Sequence, residues 1–305
     1  MAAPVNNFIR AVEYWVPSRD RSILEFGGGL YGRATRLAAA SRDLCFGRGE
    51  GLPGQAWEAG HPIVLKQFAG SYFRRTAAAQ AEGITCGIAV PIFAGDFLTS
   101  VMVIFCGDDE EHAGAIELWH NDPATSHDMT LVDGYYGTTG DTFEFISRST
   151  SFRIGNGLPG MAWQTQQPVF LEDLGKGSGF LRADSAVKVG INRGFALPCS
   201  TPGADNYVLT FLSALATPIA QRMEIWLPDL PRAQVFRASG FSESEGVLGR
   251  LAVGLSGGEG PVGQALLTGV PAIADARPGD DAALATAAIP VLRQGRLMAV
   301  LALCF

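Results

Sequence analysis

The chain has 305 residues, 47% hydrophobic and 17% charged, with a formal net charge of −7. That length accommodates two or three domains, each able to bury a core. The acidic balance, with no basic run, excludes nucleic acid as an expected partner, since phosphate binding needs concentrated positive charge.

No apolar run reaches the ~20 residues that cross a bilayer; the nearest, Val208–Ala220, is broken by Pro218. Met1–Asn7 lacks the basic start and apolar core of a signal peptide. The cysteines (Cys45, Cys86, Cys106, Cys199, Cys304) are odd in number, dispersed and free of any C-x-x-C pair. Reduced thiols in a cytoplasmic protein are expected. No membrane partner is expected.

Along the chain, Phe8–Trp15 begins as helix or coil and ends as a strand. A turn at Pro17–Asp20 leads to a strand at Ser22–Phe26, and residues 31–40 are ambiguous by period. Asp43–Phe46 approaches Gly51-Leu52-Pro53-Gly54. Gln55–Ala59 is a short helix stopped by Gly60 and Pro62. Ile63–Leu65 is a strand. Tyr72–Ala81 is a helix with Phe73, Ala77, Ala78 and Ala81 along one stripe. Cys86–Phe93 and Phe97–Cys106 form a hairpin turning at Gly95-Asp96, with strands apolar enough to be buried on both faces.

The order then repeats. Val12-Glu13-Tyr14-Trp15 recurs as Ile116-Glu117-Leu118-Trp119 and Met223-Glu224-Ile225-Trp226. The glycine loop recurs at Gly157–Gly160 and Gly260–Gly263. A period of about 105 residues is a domain, well beyond a solenoid turn. Residues 1–110, 111–220 and 221–305 are therefore three copies of one α+β unit, an antiparallel sheet with short helices on one face. The third copy is shortened: between Pro271 and Pro290 it lacks the segment that carries Phe73-x-Arg75 and Phe180-x-Arg182. It is expected to be degenerate and structural.

These motifs, in this order, resemble GAF domains of bacterial sensor proteins. The likeness rests on strand-Glu-x-Trp, Gly-Leu-Pro-Gly-x-Ala-Trp, Pro-Val/Ile-x-Leu, Phe-x-Arg, Gly-Ile and Ala-x-Pro. It implies a six-stranded antiparallel sheet with a ligand cavity beneath a lid helix. The candidate lining is Phe46, Phe73, Arg75 and Cys86 in the first copy, and Phe152, Phe180, Arg182 and Asn192 in the second. Family members bind varied small molecules or only dimerise, so no cofactor is indicated.

The long flanking helices of the family have little room here. Their absence would leave apolar sheet backs bare, so neighbouring copies or a second chain should cover them. A homo-oligomer is expected. With no output domain recognisable, the expected role is a cytoplasmic, non-enzymatic small-molecule sensor or signalling adaptor acting through a separate output protein. The alternative is a structural or dimerisation module whose pockets are filled by side chains; a thiol oxidoreductase ranks last.

Other patterns read as structural. The three G-x-G-x-x-G matches (Gly49–Gly54, Gly155–Gly160, Gly258–Gly263) lack the crossover helix of a dinucleotide site. Gly254-Leu255-Ser256-Gly257-Gly258 has no His downstream to complete a triad. His112, His120, Asp122 and His127 lie near the first junction without metal-ligand spacing, so no metal site is expected. Arg75 and Arg182 would face a ligand or pair with a carboxylate such as Asp184. Trp57 and Trp163 would anchor the short helix on the sheet. Glu13, Glu117 and Glu224 share a strand face with the following Trp; whether that face is wet is left open.

Overall fold

The computed structural model describes residues 7–107, 114–137, 139, 141–175, 179–214, 217–251, 254–276 and 284–305. His112 and the acidic stretch Asp108–Glu111 lie outside these, as does 277–283, which includes part of the shortened region of the third copy.

The first unit runs β1 (Ile9–Pro17), β2 (Ile23–Leu30), α1 (Thr35–Arg42), β3 (Cys45–Gly47), α2 (Gly51–Ala59), β4 (Ile63–Leu65), α3 (Thr76–Ala81), β5 (Cys86–Ala94) and β6 (Phe97–Cys106). The second repeats this as β7 (Gly114–Asn121), β8 (Met129–Tyr135), α4 (Asp141–Arg148), β9 (Ser151–Phe152), α5 (Gly157–Thr165), β10 (Val169–Leu171), α6 (Ala183–Lys188), β11 (Arg193–Cys199) and β12 (Asn206–Ser213). The third has β13 (Arg222–Asp229), β14 (Gln234–Ser242), β15 (Gly246–Leu248), β16 (Leu255–Ser256), α7 (Gly260–Thr268), β17 (Ala272–Ala274), β18 (Thr286–Arg293) and β19 (Arg296–Cys304).

Each unit forms one antiparallel sheet. The orders are β3-β2-β1-β6-β5-β4, β9-β8-β7-β12-β11-β10 and β15-β14-β13-β19-β18-β17, with β16 also pairing β14. The same bulge occurs in all three, where the register slips between Tyr14 and Trp15, Leu118 and Trp119, and Ile225 and Trp226. A bulge increases local twist and re-aims side chains.

Three local expectations change. Phe8–Trp15 contains no helix, because β1 is paired with β6 from Ile9 and with β2 from Val12. The ambiguous 31–40 region contributes α1, which buries Leu37 and Ser41. The helix expected over Tyr72–Ala81 is only α3, with Arg75 at its N-cap and Ala79 as its buried residue. The residues before it are held by hydroxyl turns instead: Ser71 Oγ and Thr76 Oγ1 both donate to the Phe68 carbonyl.

The glycine loop is itself the first turn of α2, α5 and α7. Its last glycine is required by close approach. A Cβ on Gly54 would sit 2.1 Å from the Gly47 carbonyl oxygen, and one on Gly160 2.3 Å from that of Arg153. Packing of helix against strand, not phosphate binding, accounts for the motif.

The sheet backs are covered by the neighbouring copies. Ile9, Val12, Ile88 and Ile104 of the first unit share one buried cluster with Ile116, Leu118, Leu209 and Phe211 of the second and Met223, Ile289, Leu301 and Leu303 of the third. The equivalent strands β5, β11 and β18 pack on one another. Pro91, Pro198 and Pro290 meet around one small space there. At the rim β4 packs on β8 of the next unit and β17 on β2, while Phe170 of β10 packs on Phe241 of β14. These are head-to-tail contacts that close after three units, a cyclic arrangement within one chain. The N-terminal strand joins the linker at this closure: the Phe8 N–H donates to the Pro218 carbonyl at 2.8 Å. The apolar surface that called for a cover is thus consumed inside the chain.

Candidate functional site

The outer face of each sheet, beneath the short helices, is where a ligand cavity was expected. In β1 the alternation sends Val12 toward the shared core and Glu13 and Trp15 outward under the helices. That face is dry, and Glu13 and Trp15 are both 0% exposed.

Glu13 is met from above by Arg75 at the start of α3. Arg75 Nη1 donates to Glu13 Oε2 and Nη2 to Oε1, each at 2.7 Å, a bidentate pair. Trp15 Nε1 donates to Oε1 at 2.9 Å and the Tyr31 hydroxyl to Oε2 at 2.7 Å. Ser41 Oγ accepts a further bond from Arg75 Nη1 and donates to the Leu37 carbonyl. Four rings surround the guanidinium, with Phe73, Phe105, Trp15 and Phe46 centroids at 5.2, 5.4, 5.6 and 5.9 Å.

The second unit rebuilds this site. Arg182 Nη2 donates to Glu117 Oε2 at 2.8 Å, and Nη1 donates to Oε1 and to Ser147 Oγ. The Tyr136 hydroxyl donates to Oε1 at 3.1 Å, and Trp119 Nε1 and Thr210 Oγ1 donate to Oε2 at 3.2 and 3.1 Å. Phe180, Trp119, Phe143 and Phe152 stand 5.0, 5.2, 5.2 and 5.8 Å from the guanidinium carbon. Among the described residues neither Arg75 Nε nor Arg182 Nε finds an acceptor.

Among the described residues the third unit has no equivalent arginine, but it keeps the carboxylate. Glu224 Oε1 accepts from Arg237 Nη1 at 2.7 Å and from Arg222 Nε and Nη2 at 2.9 and 2.7 Å, and Trp226 Nε1 donates to Oε2 at 3.0 Å. Arg237 pairs in register with Trp226, as Phe26 does with Trp15 and Leu131 with Trp119. A strand arginine therefore stands where the first two units have an apolar residue.

Burial alone would raise the Glu13 and Glu117 carboxyls. The adjacent arginine charge and the converging hydrogen bonds outweigh it and hold both below the usual carboxylate range. Tyr31 and Tyr136 are raised, first by burial and then by the neighbouring carboxylate, so both stay protonated donors. With folded-state carboxyls depressed, the stabilisation is present above their unfolded value of about 4.3 and is lost as pH falls through the folded value. Melting temperature should therefore drop steeply below about pH 4.3. Glu13→Gln/Arg75→Met should show a shallower acid slope than the unaltered chain. Equal slopes would show that this carboxyl does not contribute.

The eight candidate residues separate into two groups. Phe46, Phe73, Arg75, Phe152, Phe180 and Arg182 converge on these two interiors. Phe46 and Phe152 each stand edge-on to the tryptophan, centroids 4.7 Å apart. Cys86 does not join them: β5 was placed correctly, but Cys86 projects from its other face into the shared core, opposite Cys106. Asn192 sits in the turn entering β11, where its N–H donates to the Ser213 carbonyl and its carbonyl accepts from Leu174. Asp184 is not the partner of Arg182; Glu117 is. Glu13, Tyr31 and Ser41, with their counterparts Glu117, Tyr136 and Ser147, were not recognised from sequence as one site. Their matched spacing in two copies was the available signal.

His61 stacks on Tyr207 and His120 packs against the same ring at a tilt of 32°, and among the described residues no three metal-ligating side chains converge. Ser256 is an exposed residue of β16 whose N–H donates to Glu259. Trp57 and Trp163 pack against the outer cores from α2 and α5.

In fold the chain is a tandem of GAF-like α+β units. It is similar to the nlh2 GAF domain of A. aeolicus in an inactive state (23% identity over 33% of this chain and 60% of that one, TM-score 0.27). It is also similar to the free methionine-R-sulfoxide reductase of Neisseria meningitidis in complex with its substrate (17% identity, 32% and 52%, TM-score 0.26). A third likeness is to a Staphylococcus aureus NreA protein mutated in its nitrate binding site (15% identity, 33% and 74%, TM-score 0.26). The chain covers 60% and 52% of the first two structures' lengths. No protein-family model matches it, and no curated protein does. No helix among the described residues is long and apolar enough to cross a membrane.

Proposed function

We propose that this chain is a signalling adaptor or scaffold in which each of the first two GAF-like interiors is occupied by its own arginine–glutamate pair. The observation that carries this is the bidentate closure of Arg75 on Glu13 and of Arg182 on Glu117, with both arginines almost wholly buried. A guanidinium so engaged has its charge and three of its donors committed to the protein. A ligand taking its place would strand a buried carboxylate, at a cost of several kcal/mol. The three interiors set the fold of each unit, the shared core closes the units on one another, and the outer surface presents the chain to a separate output protein, in a cytoplasmic setting.

Chemistry at Cys86, Cys106, Cys199 and Cys304 is disfavoured by the same burial, while Cys45 is exposed. Cys199 is pushed up to about 12 by loss of solvation, and Cys304 is raised for the same reason. Such thiols lack the exposed, electropositive surroundings that make a reactive thiolate.

Native mass spectrometry with an absorption spectrum tests the reading. Bare polypeptide mass and no visible band are expected. Extra mass that leaves on denaturation, and is absent after Arg75→Met and Arg182→Met, would place a ligand in these interiors and overturn it.

A further inference from the structure

We propose that the groove between the third and first units binds an amphipathic organic anion, a short apolar body carrying one carboxylate or sulfonate. The three junctions of the ring are built from equivalent positions, and they differ in how they are filled. Between the first and second units, Lys66 pairs with Asp133 at 2.5 Å and the Tyr135 hydroxyl donates to Thr85 Oγ1 at 2.8 Å. Between the second and third, the Arg193 guanidinium lies 4.7 Å over the Phe241 ring and pairs with Glu243, leaving a groove of about 430 Å³ beside Phe170.

At the third junction the residues corresponding to Phe241 and Arg193 are shorter, Leu30 and Ala285. Leu30 opposes Val12 as Tyr135 opposes Ile116 and Phe241 opposes Met223. Ala285, bonded to Phe305 and five residues before Pro290, stands where the second unit has Arg193 five residues before Pro198. The space left is about 760 Å³. That is within the range of sites that enclose small organic ligands, about 300–1,000 Å³.

Its walls suit one chemistry. Ile9, Val12, Leu30 and Phe305 supply apolar surface. Arg10 also lines the groove, and its Nε is buried with no hydrogen-bond partner among the described residues. Glu82, the nearby carboxylate on the wall, already accepts the Arg36 N–H at 3.0 Å. Arg33 and Asp275 are both exposed. The donor left without an acceptor therefore belongs to a cation, and a carboxylate or sulfonate satisfies it. This site lies outside the filled interiors and is argued independently of them.

The test uses the full chain, titrated with 1-anilinonaphthalene-8-sulfonate and then with dodecanoate as competitor. One saturable site per chain is expected, with displacement by dodecanoate but not by its methyl ester. Ala285→Trp and Ala276→Leu, which fill the groove, should each abolish or strongly weaken binding while far-ultraviolet circular dichroism is unchanged. Arg10→Gln should weaken dodecanoate about tenfold, the loss of one charged hydrogen bond. Absence of a saturable site overturns the proposal. So does undiminished binding in a folded groove-filling variant, equal displacement by the ester, or full affinity in Arg10→Gln.

Discussion

Arg75→Met lowers the unfolding free energy of the chain by about 3–5 kcal/mol, the cost of leaving a buried carboxylate without its counter-charge. Glu13 has no access to water and would keep only Trp15 and Tyr31 as donors. The double variant Glu13→Gln/Arg75→Met removes both charges while a side-chain carbonyl still accepts from Trp15 and Tyr31. It should recover most of the loss, giving a coupling of several kcal/mol in a urea double-mutant cycle. Arg182→Met should behave alike through Glu117. Arg237→Met should cost less, because Arg222 also bonds Glu224 and this pair is partly exposed. A cost under about 1 kcal/mol for Arg75→Met, the range of solvent-exposed pairs, would mean that water reaches the site.

A second large effect should spread beyond the unit altered. Phe211→Ala removes a fully buried ring from the core that all three sheets share. Truncation of such a ring costs about 3–5 kcal/mol. Hydrogen-exchange mass spectrometry should show β5, β11 and β18 losing protection together, since these strands pack on one another around Pro91, Pro198 and Pro290. Loss confined to β11 and β12 would show that the units open separately.

Much of this architecture was legible from spacing. The recurrence of Glu-x-Trp and the glycine loop marked three copies, and the doubly apolar hairpin Cys86–Cys106 marked strands buried on both faces. Long apolar strands and a scarcity of flanking helix also indicated that sheet backs had to be covered. Which surface covers them depends on contacts between residues more than a hundred positions apart, and no local pattern encodes those.

The site was legible only in part. Six of the eight candidates lie in the expected interiors, because an aromatic residue or arginine repeated at a matched position stands out. Cys86 was misplaced because a strand buried on both faces gives no alternation from which to choose a face. Glu13 was seen but not assigned, since period two fixes its neighbours on the strand and not what lies above them. Its partner Arg75 is 62 residues away, on a segment whose helix proved shorter than its alanine-rich sequence suggested.

Small-angle X-ray scattering of the intact chain tests the closed ring most directly. Three units packed on one core should scatter as a compact single-chain particle with a radius of gyration of about 19 Å. A single-chain particle of about 30 Å, the value for three separate beads in a row, would contradict the shared core and the closure built on it.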